Sequence, residues 1–186
     1  MGETTEGREN AREKILTAAA HLVARAGVRE LTIENVATAA GLSRGGVFYH
    51  FASKEAIIQG MMARLIEQFT QYLDGEAARD PDPGGRWARA FVRASFAMDA
   101  QTTSVFTALI AAIAYDPRLL DPLRDHLTDW RRKTEEGLDP TTAAVARLSS
   151  YALWLNGLFH LNDLDDDERR AVIDRIVELT HAAPGV

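Results

Sequence analysis

Apolar residues recur at helical spacing along nearly the whole of this chain, and no stretch alternates as a half-buried strand must. Ile15, Leu16, Ala19, Leu22, Val23 and Ala26 share one face of a helix that Gly27 brings to an end. That periodicity disfavours sandwiches, barrels and parallel sheets and leaves an all-α protein. Capping and breaking residues divide the chain further. Thr32 stands as N-cap before "IENVATAA", with Glu34 in the first turn where the helix dipole favours it. Gly41 stops that helix, Ser43 caps the next, and Ser53 caps the longer "KEAIIQGMMARLIEQFTQYL", whose first residue is Lys54.

Residues 74–85, "DGEAARDPDPGG", with two prolines and three glycines, form the sharpest break in composition. Helices are expected over about 86–98 and 102–114. Asp-Pro pairs at 116–117, 121–122 and 139–140 each offer a capping aspartate with proline at the first helical position, where its missing N–H does no harm. The last pair opens a long apolar helix to about residue 162, and Asp165 and Glu168 have capping-box spacing before a final helix. Nine helices are expected in all.

The 186 residues, 46% hydrophobic, suffice for one large domain or two small ones. No apolar run approaches the roughly 18 residues of a membrane span. The polar, acid-bearing start "MGETTEGREN" lacks the apolar core of a signal peptide. A soluble, cytoplasmic protein without a membrane partner is the expectation. The absence of cysteine excludes disulfides and thiolate metal sites. There is no nucleophile motif or phosphate-binding glycine loop, and "DDDE" reads as a helix start. His126 and Asp129, one turn apart, fall short of a metal ligand set. No catalytic residue, metal or cofactor is expected, and the chain does not read as an enzyme. Its net charge of −6 lies wholly in residues 57–186, because residues 1–56 carry seven basic and seven acidic side chains. That asymmetry permits a nucleic-acid surface in the first part.

A short helix, a turn at Gly41 and a second helix make the geometry of a helix-turn-helix. Val36 and Ala37 suit its close crossing, and Leu42 and Val47 would lock the pair. The full stretch "LTIENVATAAGLSRGGVFYHFASKEAI" resembles the DNA-binding signature of TetR-type transcriptional regulators, over residues 12–62. The resemblance implies a three-helix DNA-binding domain, residues 1–56. A linking helix would join it to a helical effector-binding and dimerisation domain, residues 57–186. Beyond residue 62 the likeness is architectural only.

Ser43 can cap its helix or donate to a phosphate, and the fork of Arg44 suits guanine edges or phosphates. Gly45 and Gly46 occupy the turn that enters the major groove first. They permit close approach to DNA, or else close packing on the preceding helix. In the family the second of these positions is usually small and lies near the bases. Tyr49 and His50 resemble phosphate-contacting positions, with an exposed aromatic and a satisfied histidine as the alternative. Phe48 departs from the family's usual tyrosine and keeps only apolar contact, for example with a thymine methyl. Lys54 opposes the dipole of its own helix, which suggests a phosphate partner. Thr32 resembles a further phosphate contact, although capping alone explains it. Phe51 is expected in the core.

TetR-type proteins keep an apolar pocket among their middle helices, and the resemblance implies one here. Met62, Trp87, Phe91, Phe106, Ile110, Trp130, Tyr151 and Trp154 are candidate walls, and Asn156 is an amide that could orient a ligand. A plain core explains most of these as well. The helix after Pro140 is apolar on two faces, Val145, Leu148, Ala152, Leu155 and Phe159 against Tyr151, Trp154, Leu158 and Leu161. With the last helix it offers Leu155, Leu158, Phe159, Ile173, Ile176 and Val177 as a four-helix dimer interface, or else the centre of a monomer. The expectation is a homodimeric repressor, released from a palindromic operator in double-stranded DNA by a small apolar or aromatic effector. An architectural or division-type DNA-binding protein of the same fold, with no effector, is the alternative. An enzyme on this fold would betray itself by a buried polar pair with perturbed pKa values.

Overall fold

The computed structural model describes residues 3–97, 99–159, 161 and 164–181, with side-chain placement described from residue 10 onward except at residues 100, 101, 111, 112, 114 and 115. Among the described residues there are nine α-helices, two short 3-10 turns and no strand. The helices are α1 (Glu3–Ala26), α2 (Ile33–Ala40), α3 (Arg44–His50), α4 (Lys54–Arg79) and α5 (Arg86–Phe96), followed by α6 (Ala100–Tyr115), α7 (Asp121–Thr134), α8 (Pro140–Leu158) and α9 (Asp166–Leu179).

Caps placed by the sequence hold these boundaries. The Asp165 carboxylate accepts from the N–H groups of Asp167 and Glu168, and the Glu168 carboxylate accepts from the Asp165 N–H at 2.9 Å, a closed capping box. Asp139 accepts from the Thr142 N–H at 2.8 Å with Pro140 as first helical residue. Three boundaries differ from expectation. Helix α4 does not stop at Asp74 but continues to Arg79, because Leu73 and Ala77 are both buried and a Glu76–Arg79 ion pair of 2.7 Å supports its last turn. Asp121 is no cap: it closes the 3-10 turn Pro117–Leu120, which Asp116 caps, and is itself the first residue of α7. Helix α8 ends at Leu158, where the Phe159 N–H closes on the Leu155 carbonyl at 3.0 Å. The expected ends at Met98 and Asn162 lie outside the described residues.

The chain divides into two compact units, residues 1–65 with 100–123, and residues 66–99 with 124–186. Helices α4 and α7 contribute to both. In the first unit α1 packs on α2 and α6, and α2 packs on α3. Ile15, Leu16, Ala19 and Val23 of α1 are buried there, with Val36, Val47, Phe51, Ile57 and Met61. The ring of Phe51 fills the space left by Gly60 on α4. A Cβ at Gly60 would sit 2.8 Å from Phe51 Cε1 and 3.0 Å from Leu16 Cδ2.

In the second unit α5 packs on α8 and α9, and α8 packs on α9. The crossing is close because the buried positions are small: Ala88, Ala90 and Ala94 on α5, Ala143, Ala146 and Ser150 on α8. Val92, Ala146, Leu153 and Ile176 form its apolar centre, flanked by Phe96, Leu164, Ile173 and Val177. At one end sits Arg89, 0% exposed. Its guanidinium donates to both Asp80 carboxylate oxygens (2.8 and 3.0 Å) and to the carbonyls of Asp82 (2.7 Å), Gly84 (2.7 Å) and Thr180 (3.1 Å). All five donors of the fork are thereby used. The Pro/Gly stretch, the sharpest composition break in the sequence, is the cradle of this arginine. Gly85 adopts φ 69°, and a side chain there would collide with the Thr180 carbonyl.

Candidate functional site

The turn between α2 and α3 is set by Gly41 at φ 67°, whose N–H bonds the Ala37 and Thr38 carbonyls, while the Leu42 N–H reaches Ala37 at 2.9 Å. Thr32 accepts from the Asn35 N–H at 3.1 Å, so its capping role is real. Ser43 accepts from the Gly46 N–H at 3.0 Å, which leaves its hydroxyl proton as a donor. Val47 and Phe51 turn inward and the Arg12 guanidinium lies over the Phe51 ring at 5.5 Å. The outward side of α3 presents Arg44, Gly45, Phe48 and Tyr49, with Tyr49 64% exposed. His50 is half-buried and meets the Tyr49 ring edge-on at 5.1 Å.

Among the described residues, nothing packs closely enough on the two glycines of α3 to require them. A Cβ at Gly45 would meet only Ser43 Oγ, at 3.9 Å, and one at Gly46 would meet Ser43 Oγ at 3.4 Å and Leu42 Cβ at 3.9 Å. Neither is pressed against α2, and neither has a positive φ.

Two partners escaped the sequence reading. Arg44 forms a 2.7 Å ion pair with Glu34, so the first turns of α2 and α3 are bridged on the exposed side. Opposite charges at the starts of successive helices were the available signal. Lys54 donates to the Val28 carbonyl at 2.7 Å, inside the 3-10 turn Val28–Glu30. That bond is the local compensation for a cation at a helix N-terminus, so its position alone no longer implies a phosphate.

The second unit gathers Phe91, Trp130 and Tyr151 from α5, α7 and α8. Phe69 of α4, which sequence reasoning passed over, completes the group. Ring centroids lie 4.7 Å apart for Phe69–Trp130, 5.2 Å for Phe69–Phe91, 5.6 Å for Phe91–Tyr151 and 6.2 Å for Phe91–Trp130. Burial pushes the Tyr151 phenol above its ordinary pKa. Trp87 lies apart from these ring contacts, beneath the Lys133 ammonium at 4.7 Å. Trp154 and Asn156 are half-buried on α8. Met62, Phe106 and Ile110 belong to the first unit, where Met62 is wholly buried and the other two are half-buried.

Of the apolar residues on α8 and α9, Leu158 and Ile176 are buried in the unit's own core, and Ile173 and Val177 pack partly against it. Val145, Leu148, Leu155 and Phe159 form the outward stripe, with Leu148 61% and Phe159 50% exposed. Asp129 pairs with Arg132 at 2.7 Å. No group of three or more His, Asp or Glu side chains suited to a metal occurs among the described residues. The buried pair Asp80–Arg89 has the perturbed carboxylate an enzyme would need, its pKa held well below the ordinary range chiefly by the Arg89 hydrogen bonds. Its donors are spent on fixed backbone and carboxylate acceptors, so it is a brace. No helix among the described residues is long and apolar enough to cross a membrane.

Among the described residues, α2 and the exposed α3, joined at the left-handed Gly41, have the geometry of a helix-turn-helix. Residues 15–61 match the family described as bacterial regulatory proteins, tetR family, and residues 85–181 match the tetracyclin repressor-like C-terminal domain. The chain belongs to the TetR family. It is 32% identical over 65 residues to the transcriptional repressor KstR2 of Rhodococcus jostii, covering 35% of this chain and 32% of that protein. It is 29% identical over 134 residues to the repressor BepR of Brucella suis, covering 70% of this chain and 64% of that protein. These matches thus span from a third to just under two thirds of the curated relatives' lengths. Among solved structures, the multidrug binding protein EbrR complexed with ethidium superposes with a TM-score of 0.69 at 22% identity, over 89% of this chain and 98% of that one. That last likeness is one of fold.

Proposed function

We propose that the protein is a transcriptional repressor that binds a palindromic operator as a homodimer and leaves it when a small apolar or aromatic effector binds. The observation that carries the DNA reading is the paired glycines: Gly45 and Gly46 open α3 with no neighbour that a Cβ would strike closer than 3.4 Å. Helix interiors disfavour glycine by about 1 kcal/mol each. A bare first turn next to Arg44 is what a backbone approaching base edges requires. Thr32, Ser43, Tyr49 and His50 would flank it as phosphate contacts and Phe48 in apolar contact, while Lys54 is tied to the Val28 carbonyl.

The outward stripe Val145, Leu148, Leu155 and Phe159 supports a second copy of the chain as its partner. Two-fold symmetry would give each half-site its own α3. The aromatic group of Phe69, Phe91, Trp130 and Tyr151 supports an aromatic effector, as does the ethidium carried by EbrR, a protein of the same fold. Helix α4 supplies Lys54 at one end and Phe69 further along, so ligand and DNA would compete through the populations of one helix's positions. The close ring contacts also suit the alternative, an architectural protein whose centre is filled. Selected operator duplex, titrated with and without flat aromatic compounds found by thermal shift, decides between them. Compounds that raise protein stability and weaken DNA binding support the repressor, and stabilising compounds that leave DNA binding unchanged contradict it.

A further inference from the structure

The indole N–H of Trp130 is a donor with no acceptor among the described residues, although Trp130 is only 5% exposed. Buried donors are almost always paired, and an indole offers a donor and nothing else. Neighbouring polar groups are committed elsewhere. The Thr134 hydroxyl donates back to the Trp130 carbonyl at 2.8 Å and accepts from Arg147 at 2.9 Å. Asp129 pairs with Arg132 at 2.7 Å, and Lys133 pairs with Asp74 at 3.0 Å. Three rings lie against the indole: Phe69 at 4.7 Å, Phe91 at 6.2 Å and His126 at 5.9 Å. These rings meet at 40° to 72° rather than face to face, the tilted and edge-on geometry in which aromatic rings attract one another.

Resting on the effector reading above, we propose that Trp130 is the polar anchor of the effector site. Its ligand is a flat aromatic compound bearing a hydrogen-bond acceptor, such as a ring ketone, that takes the Trp130 Nε1–H.

The test is equilibrium dialysis of the full-length protein against 9-fluorenone and fluorene, which share a planar shape and differ in the carbonyl. One hydrogen bond to a buried donor is worth about tenfold in affinity. The expected result is fluorenone bound about tenfold tighter than fluorene, with the gap abolished in Trp130→Phe while fluorene binding persists. Persistence of fluorene binding also shows that the variant is folded. Equal binding of the two compounds by the unaltered protein overturns the anchor and leaves an aromatic effector standing. A gap that survives Trp130→Phe assigns the donor elsewhere and likewise overturns it. Binding of neither compound counts against both the anchor and the effector reading.

Discussion

Arg44 and Glu34 form an ion pair of 2.7 Å across the helix-turn-helix, joining the first turn of the recognition helix to the first turn of the helix before it. Both side chains are largely exposed, so the pair contributes little to stability. Its consequence is for DNA. The carboxylate occupies one side of the guanidinium, and on the proposed DNA reading it would direct the fork and hold a negative charge near the phosphates. Removing it frees the arginine and lowers that repulsion. Glu34→Ala is expected to raise affinity for random duplex several-fold and to reduce discrimination among sequences, whereas Arg44→Ala weakens operator binding by roughly 10- to 100-fold. Fluorescence anisotropy across a salt series reads both effects. Unchanged random-duplex affinity in Glu34→Ala would refute the repulsion.

Alanine at Gly45 or Gly46 separates packing from DNA contact. With no neighbour closer than 3.4 Å to the added Cβ, each substitution should stabilise α3, by up to about 1 kcal/mol from helix propensity. Operator affinity should fall in the same variants. Calorimetry and anisotropy on one preparation give the two numbers, and a loss of stability would show that the glycines serve the fold.

Gly60 is the opposite case. Its added methyl would press on Phe51 and Leu16 at 2.8 and 3.0 Å. Gly60→Ala is expected to cost about 1–3 kcal/mol in urea unfolding by overpacking, and to weaken DNA binding because Phe51 ends α3.

The Asp80–Arg89 brace makes an acid-sensitive contribution. The folded carboxylate titrates below its ordinary value, so its stabilisation is complete above about pH 4 and is lost as pH falls through the depressed value. Asp80→Asn should flatten that part of the stability curve below pH 4. Asp80→Ala leaves the wholly buried Arg89 without its carboxylate and should cost about 3–5 kcal/mol at neutral pH.

What was legible in the sequence is what depends on near neighbours. Thr32, Ser43, Asp139 and Asp165 act on N–H groups two or three residues ahead, and Gly41 on carbonyls just behind, so residue type and spacing suffice. Contacts between distant residues were not legible. Arg89 reads as a cation in a helix until Thr180, 91 positions away, accepts from it. The acceptor of Lys54 lies 26 positions back and is a backbone carbonyl, which no side-chain pattern records. Helix α8 was recognised as apolar on two faces, yet periodicity cannot tell which face is covered. Packing on α5 chooses Ala143, Ala146, Ser150 and Leu153 and leaves Leu148 and Phe159 outside.

That outward stripe makes its own prediction. Leu148→Glu with Phe159→Glu places charges on an exposed face of the protomer and in the middle of the proposed dimer interface. Sedimentation should show monomers with unaltered helical content and operator affinity reduced by at least tenfold, since two half-sites would no longer be bound together. Dimers that persist would move the interface elsewhere.

The central claim is that two copies of α3 read one palindromic site. Selection from randomised duplex DNA by the purified protein, with sequencing at low and at physiological salt, tests it most directly. The account predicts an enriched inverted repeat at both salts, its half-sites about one helical turn or a multiple apart. Salt-sensitive binding with no enriched sequence would contradict it.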